Sequence, residues 1–164
     1  MRTGIGIVLL SIVTMASAQD LVIPPHPVRQ YAVKFVCGKA SEAQTARFDF
    51  AQGSYYTTIN VHNPALSGGL EFRKKFALAL PDEKPGRISQ WFPVALKADE
   101  ALQVDCGSIY RHLDITPGTF IDGFAVLQLL SDKPELDVEA VYTASPGNGV
   151  STMTVKHVAG RITQ

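Results

Sequence analysis

Four histidines and two cysteines are the residues of this 164-residue chain best suited to metal binding or catalysis. The histidines are His26, His62, His112 and His157, and they form neither a His-x-His nor a His-Glu-x-x-His motif. Those spacings bring two imidazoles to one side of an element, where a zinc ion needs them. We therefore predict no metal site and no cofactor.

Polar residues two positions apart offer a second kind of site, because alternate residues of a strand share a face. Asn60 and His62 form one such pair, and Asp137 and Glu139 form another. A calcium ion would need several more oxygen ligands than two carboxylates supply. We interpret the acids as a solvent-facing pair and His62 as a hydrogen-bonding residue at the end of a strand.

Nucleophilic catalysis also lacks a local motif in this chain. Hydrolases of the Ser-His-Asp kind often carry Gly-x-Ser-x-Gly on a strand-to-helix turn. Here Gly53-Ser54 begins a predicted strand, and Ser67-Gly68-Gly69 is typical of a turn. Because a triad is defined by geometry, a hydrolase with an unrecognised site stays as a third alternative.

The first 18 residues predict a signal peptide. Arg2 precedes an apolar run from Ile5 to Val13, and the segment ends in Ala16-Ser17-Ala18. This run is shorter than the roughly 20 residues that span a bilayer. We predict export to the periplasm or outside the cell after cleavage between Ala18 and Gln19, with an uncleaved anchor helix as the alternative and no membrane span in the mature chain.

Export favours a disulfide bond between the two cysteines. In an oxidising compartment Cys37 and Cys106 are each other's only partner, and two buried thiols are the alternative. A bridge across 69 residues would stabilise the fold by roughly 4 kcal/mol in the chain-entropy model. The chain has no Cys-x-x-Cys redox motif.

The elements that must position these residues are predicted to be strands. Alternating segments separated by turn signals predict an all-β fold, an antiparallel β-sandwich of about seven strands, within a single domain 30–164 that follows a proline-rich leader 19–29. The predicted strands are 30–37, 54–62, 70–80, 88–96, 119–130, 136–143 and 150–158. Cys37, Trp91 and Cys106 follow the order of an immunoglobulin domain, but their spacing does not support a true one.

Other segments carry weaker signals. Helix-forming residues fill 98–104, Gly107–Leu113 predicts a short helix, and 131–134 is typical of a hairpin turn. In the last strand, His157 shares the phase of Met153 and Val155, which we predict to be inward, so we interpret His157 as a buried or edge histidine.

Charge excludes one class of partner. The chain has 15 Lys and Arg against 15 Asp and Glu, so it lacks the cationic excess of a nucleic-acid binder. The cluster Arg73-Lys74-Lys75 is too small to hold nucleic acid at physiological salt. We interpret these charges as protection of an edge strand.

Three segments resemble a loose group of exported, uncharacterised bacterial β-rich proteins. They are Tyr31–Gly38, Ile59–Pro64 and Leu136–Ala144. The resemblance covers most of the chain from about Tyr31, and it implies a sandwich-like fold without any established activity or site.

Two pairs of adjacent aromatic residues are the candidate ligand-binding feature, Tyr55-Tyr56 and Trp91-Phe92. Neighbours on a strand point to opposite faces, so one member of each pair lies outside the core or under a loop. We name Tyr56, Trp91 and Phe92 as the candidate binding residues, because an exposed aromatic platform stacks on a sugar or on a partner protein.

These observations favour a non-catalytic, exported domain that acts through protein interaction, such as an envelope accessory module. The alternative is a carbohydrate or small-molecule binding module that uses the exposed aromatic residues. The two hypotheses differ in whether those residues line a concave pocket or a flat sheet face, and the partner is therefore an unknown protein or a glycan.

The signal peptide gives the first prediction. We expect intact-mass and N-terminal peptide analysis of the exported protein to show Gln19 as its first residue. Exported protein that retained Met1 would contradict cleavage.

Overall fold

The computed structural model describes residues 28–130, 135–146 and 151–163. Within these ranges the chain forms ten strands and two short helices, and every strand pair is antiparallel. The all-β class is confirmed. In chain order the elements are β1 (Val28–Ala40), α1 (Glu42–Phe48), β2 (Gly53–His62), β3 (Leu70–Ala79), β4 (Pro85–Ile88), β5 (Phe92–Leu96), β6 (Ala101–Asp105), α2 (Cys106–Leu113), β7 (Ile121–Leu129), β8 (Asp137–Pro146), β9 (Thr152–His157) and β10 (Arg161–Thr163).

The strands pair into a single open sheet rather than two separate ones. Its order is β4-β3-β7-β1-β2-β8-β9, while β5 pairs with β3, β6 with β2 and β10 with β1. The prediction of about seven strands was too low because it missed the short strands β4, β6 and β10. Buried side chains from both halves of the sheet and from α2 form one core cluster. Its members include Tyr31, Val33, Phe35, Ile59, Val61, Phe72, Phe76, Ile109, Leu113, Leu127, Val138 and Ala140.

The strand β1 joins the two halves of the sheet. It pairs with β7 along 29–37, but with β2 only through Gly38, Lys39 and Ala40. Gly38 has a φ of 97°, and a Cβ atom there would overlap the Thr119 carbonyl. Only glycine fits this junction without strain.

Between Tyr31 and Cys37 no described strand pairs with the second edge of β1. Hydroxyl groups from β2 and β8 fill part of that gap. The Thr57 hydroxyl accepts a hydrogen bond from the Val36 N–H at 2.9 Å and donates one to the Val36 carbonyl at 3.0 Å. The Tyr142 hydroxyl donates to the Lys34 carbonyl at 2.9 Å. Backbone groups that would otherwise be buried without partners are thus satisfied.

A disulfide lies beside this junction. Cys37 near the end of β1 is bonded to Cys106 at the start of α2, and their Cα atoms are 5.7 Å apart. The predicted pairing is therefore present. Asp105 begins α2 by accepting a hydrogen bond from the Ser108 N–H at 2.7 Å, and this bond lowers the pKa of the Asp105 carboxyl.

Several local predictions need correction. Helix-forming residues at 98–104 lie largely in the strand β6, because pairing with β2 overrides their propensity. The predicted hairpin turn 131–134 lies outside the described residues, but β7 and β8 on either side of it pair with other strands. Arg73, Lys74 and Lys75 do not protect an edge, since β3 pairs with β7 on one side and with β4 and β5 on the other.

The predicted signal peptide, the leader up to residue 27 and the turn residues 147–149 also lie outside the described residues. Within the described part, no helix is long and apolar enough to cross a membrane.

Replacing the buried Thr57 with valine tests the junction. In Thr57→Val the side chain keeps its shape but loses its hydroxyl, so the Val36 N–H and carbonyl lose their partner. We expect the free energy of unfolding to fall by about 1–3 kcal/mol, measured by urea denaturation. Thr58→Val, on the opposite face of β2, is the matched control. Equal stability of the two variants would contradict the role of the Thr57 hydroxyl.

Candidate functional site

The three candidate aromatic residues lie in two separate parts of the sheet. Tyr56 is on β2, whereas Phe92 is the first residue of β5, which pairs with β3, and Trp91 immediately precedes it. Two strands, β7 and β1, separate β3 from β2 in the sheet order. The structure therefore does not bring the three side chains together on one platform.

Trp91 is engaged by two cations. The guanidinium carbon of Arg73 lies 4.4 Å from the centre of the indole ring, and the ammonium nitrogen of Lys75 lies 4.5 Å from it. Arg73 also donates from Nε to the Gln128 side-chain oxygen at 2.8 Å. These contacts give Arg73 and Lys75 a structural role, since cation–π pairs stabilise a protein surface.

Phe92 packs against the helix α2. Its ring centre lies 4.1 Å from that of the His112 imidazole, which also lies 5.3 Å from the ring of Phe76. The Nδ1 atom of His112 donates to the Ser108 carbonyl at 2.6 Å, because a carbonyl oxygen can only accept. Phe92 therefore helps to hold α2 on the sheet.

Tyr56 lies on an exposed surface that borders a cavity of about 170 Å³ between β2, β8 and β9. Its side chain is 57% exposed, and the cross-strand register aligns it with Thr143 on β8 and then with Met153 on β9. The next row across the sheet contains Val141 and Val155. We call the surface formed by Tyr56, Val141, Met153 and Val155 the β9 face.

The strand β9 is exposed along its whole length. All six of its residues are exposed, including Met153 at 71% and Val155 at 58%, so both faces of the strand are accessible. Among the described residues β9 pairs only with β8. The prediction that Met153 and Val155 point inward was wrong, since both side chains are exposed, and His157 lies on the outermost of the described strands.

The histidines of this surface are held by carboxylates. His157 at the end of β9 lies 3.1 Å from a carboxylate oxygen of Glu139. His62 at the end of β2 contacts two acids, with Nδ1 3.0 Å from Asp137 and Nε2 3.0 Å from Asp99. The prediction that His62 is a hydrogen-bonding residue at a strand end is confirmed.

The two acids change the protonation of His62. The hydrogen bond to Asp137, followed by that to Asp99, raises the pKa of His62 above its usual 6.5. A protonated imidazole donates from both nitrogens, which matches two carboxylate acceptors. Both ring nitrogens of His62 therefore contact carboxylates in this arrangement.

In residues 28–130, 135–146 and 151–163, no group of three or more His, Cys, Asp and Glu side chains is arranged to hold a metal ion. The Asp137 carboxylate is bound to His62, and the Glu139 carboxylate to His157.

The geometry around His62 predicts a pH dependence. We expect an NMR titration of its imidazole to give a midpoint above 6.5, which falls more in Asp137→Asn than in Asp99→Asn. Because the folded-state pKa is raised, the contribution of these bonds to stability is complete below pH 6.5 and is lost as the pH rises through the folded-state pKa. A midpoint that neither substitution changes would contradict this arrangement.

No protein-family model matches this chain, and neither does any curated protein. Among solved structures it is similar to the crystal structure of Thermotoga maritima 1070, with 11% identity and a TM-score of 0.48 over 80% of this chain and 92% of that one.

Proposed function

We propose that this chain is an exported, non-catalytic module that binds another protein through the β9 face. The observation that carries the proposal is the exposure of β9, which has two large apolar side chains and no described strand on its outer edge. Natural sheets usually protect such an edge with charges, prolines or a covering loop.

A protein partner suits this surface physically. An extended segment of the partner that pairs with β9 would satisfy the backbone groups along the outer edge of that strand. Its side chains would also cover Met153 and Val155, and contiguous exposed apolar residues are typical of interaction sites.

The side chains of the β9 face favour a protein over a glycan. The face spans three adjacent strands, and apart from Tyr56 the residues that define it are the aliphatic Val141, Met153 and Val155, whereas small ligands are usually held by several convergent polar groups. Tyr56 is the one aromatic side chain of the β9 face. The other two candidate residues lie elsewhere in the sheet, where Trp91 is engaged by Arg73 and Lys75, and Phe92 packs against α2.

Two further observations support a non-catalytic, exported role. The described histidines form hydrogen bonds to carboxylates or to a main-chain carbonyl, and no hydrogen bond joins any of them to a hydroxyl or a thiol of the described residues. The disulfide between Cys37 and Cys106 suits the oxidising compartments that a signal peptide leads to.

A charge substitution on the β9 face tests the proposal. We expect the double variant Met153→Lys and Val155→Lys to weaken binding of the captured partner at least about tenfold, because buried apolar contacts dominate such interfaces. Binding is measured by quantitative pull-down of proteins from the exported fraction, followed by titration of the purified partner.

The matched control is Ile88→Lys with Leu130→Lys, because these side chains are 60% and 59% exposed elsewhere in the chain. Equal loss in both double variants would contradict a specific role of the β9 face. A glycan bound on an array that is lost in Tyr56→Ala, but kept in the β9 variant, would favour the carbohydrate alternative instead.

A further inference from the structure

A cleft lies on the other side of β9 from the β9 face. It encloses about 390 Å³ between β1, β7 and the segment that joins β9 to β10. The cleft borders the edge of β1 that has no described strand partner between Gln30 and Gly38. Its volume lies in the range of sites for small ligands.

Three cations line the cleft. They are Lys34, Lys156 and Arg161, and the ammonium group of Lys34 is paired with Asp122. Within the described ranges, neither Lys156 nor Arg161 makes an ion pair or a side-chain hydrogen bond. These two side chains are therefore available to an anion.

An aromatic ring adjoins the cations. Phe124 on β7 is 41% exposed and lines the same cleft, and the Lys34 ammonium lies 5.3 Å from the centre of its ring. An exposed aromatic ring beside two cations that have no partner among the described residues fits a ligand with a ring on one side and an anionic group on the other.

The backbone of β1 supplies a further donor. The N–H and carbonyl of Val36 point away from β7, toward Thr57. Because backbone groups alternate along a strand, the N–H of Ala32 points to the same edge, and Ala32 lines the cleft. A carboxylate in the cleft can thus accept a hydrogen bond from the main chain as well as from a cation.

We infer that this cleft binds a small carboxylate carried on a six-membered ring. The carboxylate lies between Arg161 and Lys156, since the planar guanidinium matches its two oxygens, and the ring lies on Phe124. A sugar acid and an aromatic acid both carry a carboxylate on a ring. The neighbouring carboxylates of Asp122 and Glu139 are already paired with Lys34 and His157.

NMR titrations of the exported chain test this inference with glucuronate and benzoate. Glucose and benzyl alcohol are the neutral counterparts, and acetate is the carboxylate without a ring. We expect at least one ring carboxylate to shift the amide signals of Ala32 and Phe124, and its neutral counterpart to leave them unchanged. The acid that shifts them identifies the source of the ring.

Variants with the same loss of charge make the test specific. Lys156→Ala with Arg161→Ala is expected to weaken binding about tenfold, whereas Lys84→Ala with Lys97→Ala should leave it unchanged. Phe124→Ala should remove the advantage of the ring carboxylate over acetate.

Equal weakening in both double variants, or no shift at Ala32 and Phe124 with either acid, would overturn the inference. Because Met153→Lys with Val155→Lys leaves the lining of the cleft intact, its effect on protein binding can be measured separately.

Discussion

The rest of the structure depends on how the backbone N–H and carbonyl groups on the second edge of β1 find hydrogen-bond partners. This strand is the only one shared by both halves of the described sheet, yet its second edge has strand partners only at its two ends. A buried backbone group without a partner costs about as much as a lost hydrogen bond. The Thr57 hydroxyl meets this constraint at Val36, where it both accepts and donates as a neighbouring strand would.

The need for hydrogen-bond partners along β1 also ties the two halves of the sheet to one core. Tyr142 reaches from β8 to the Lys34 carbonyl, and the Tyr31 hydroxyl accepts a hydrogen bond from the Leu136 N–H at 2.8 Å. Burial raises the pKa of both tyrosines, so both hydroxyls stay protonated. The disulfide of Cys37 fixes the end of β1 beside these bonds, and the gap that they leave open near Ala32 is the cleft.

The sequence correctly predicts the strands in which apolar and polar residues alternate because one face of the strand is buried. β1 and β2 follow their predicted phase because Phe35 and Ile59 are buried while their neighbours are less so. In β9 the same alternation was misinterpreted, since Met153 and Val155 are apolar but face solvent. Alternation alone does not tell which side of a strand is covered. The segment before Asp105 has helix-forming residues, and only its pairing with β2 makes it a strand.

The two proposed surfaces lie on opposite sides of one strand. Val155 and Lys156 are neighbours on β9, so one side chain belongs to the β9 face while the other lines the cleft. Among described strands, β9 is held only by β8, so its position is less constrained than that of a central strand. A partner paired with β9 would fix the position of Lys156, and a carboxylate bound to Lys156 would fix the strand that the partner contacts. The protein partner and the carboxylate can therefore change each other's affinity only to the extent that each of them restricts the position of β9. The short, exposed β9 is therefore the element through which the two surfaces would be coupled.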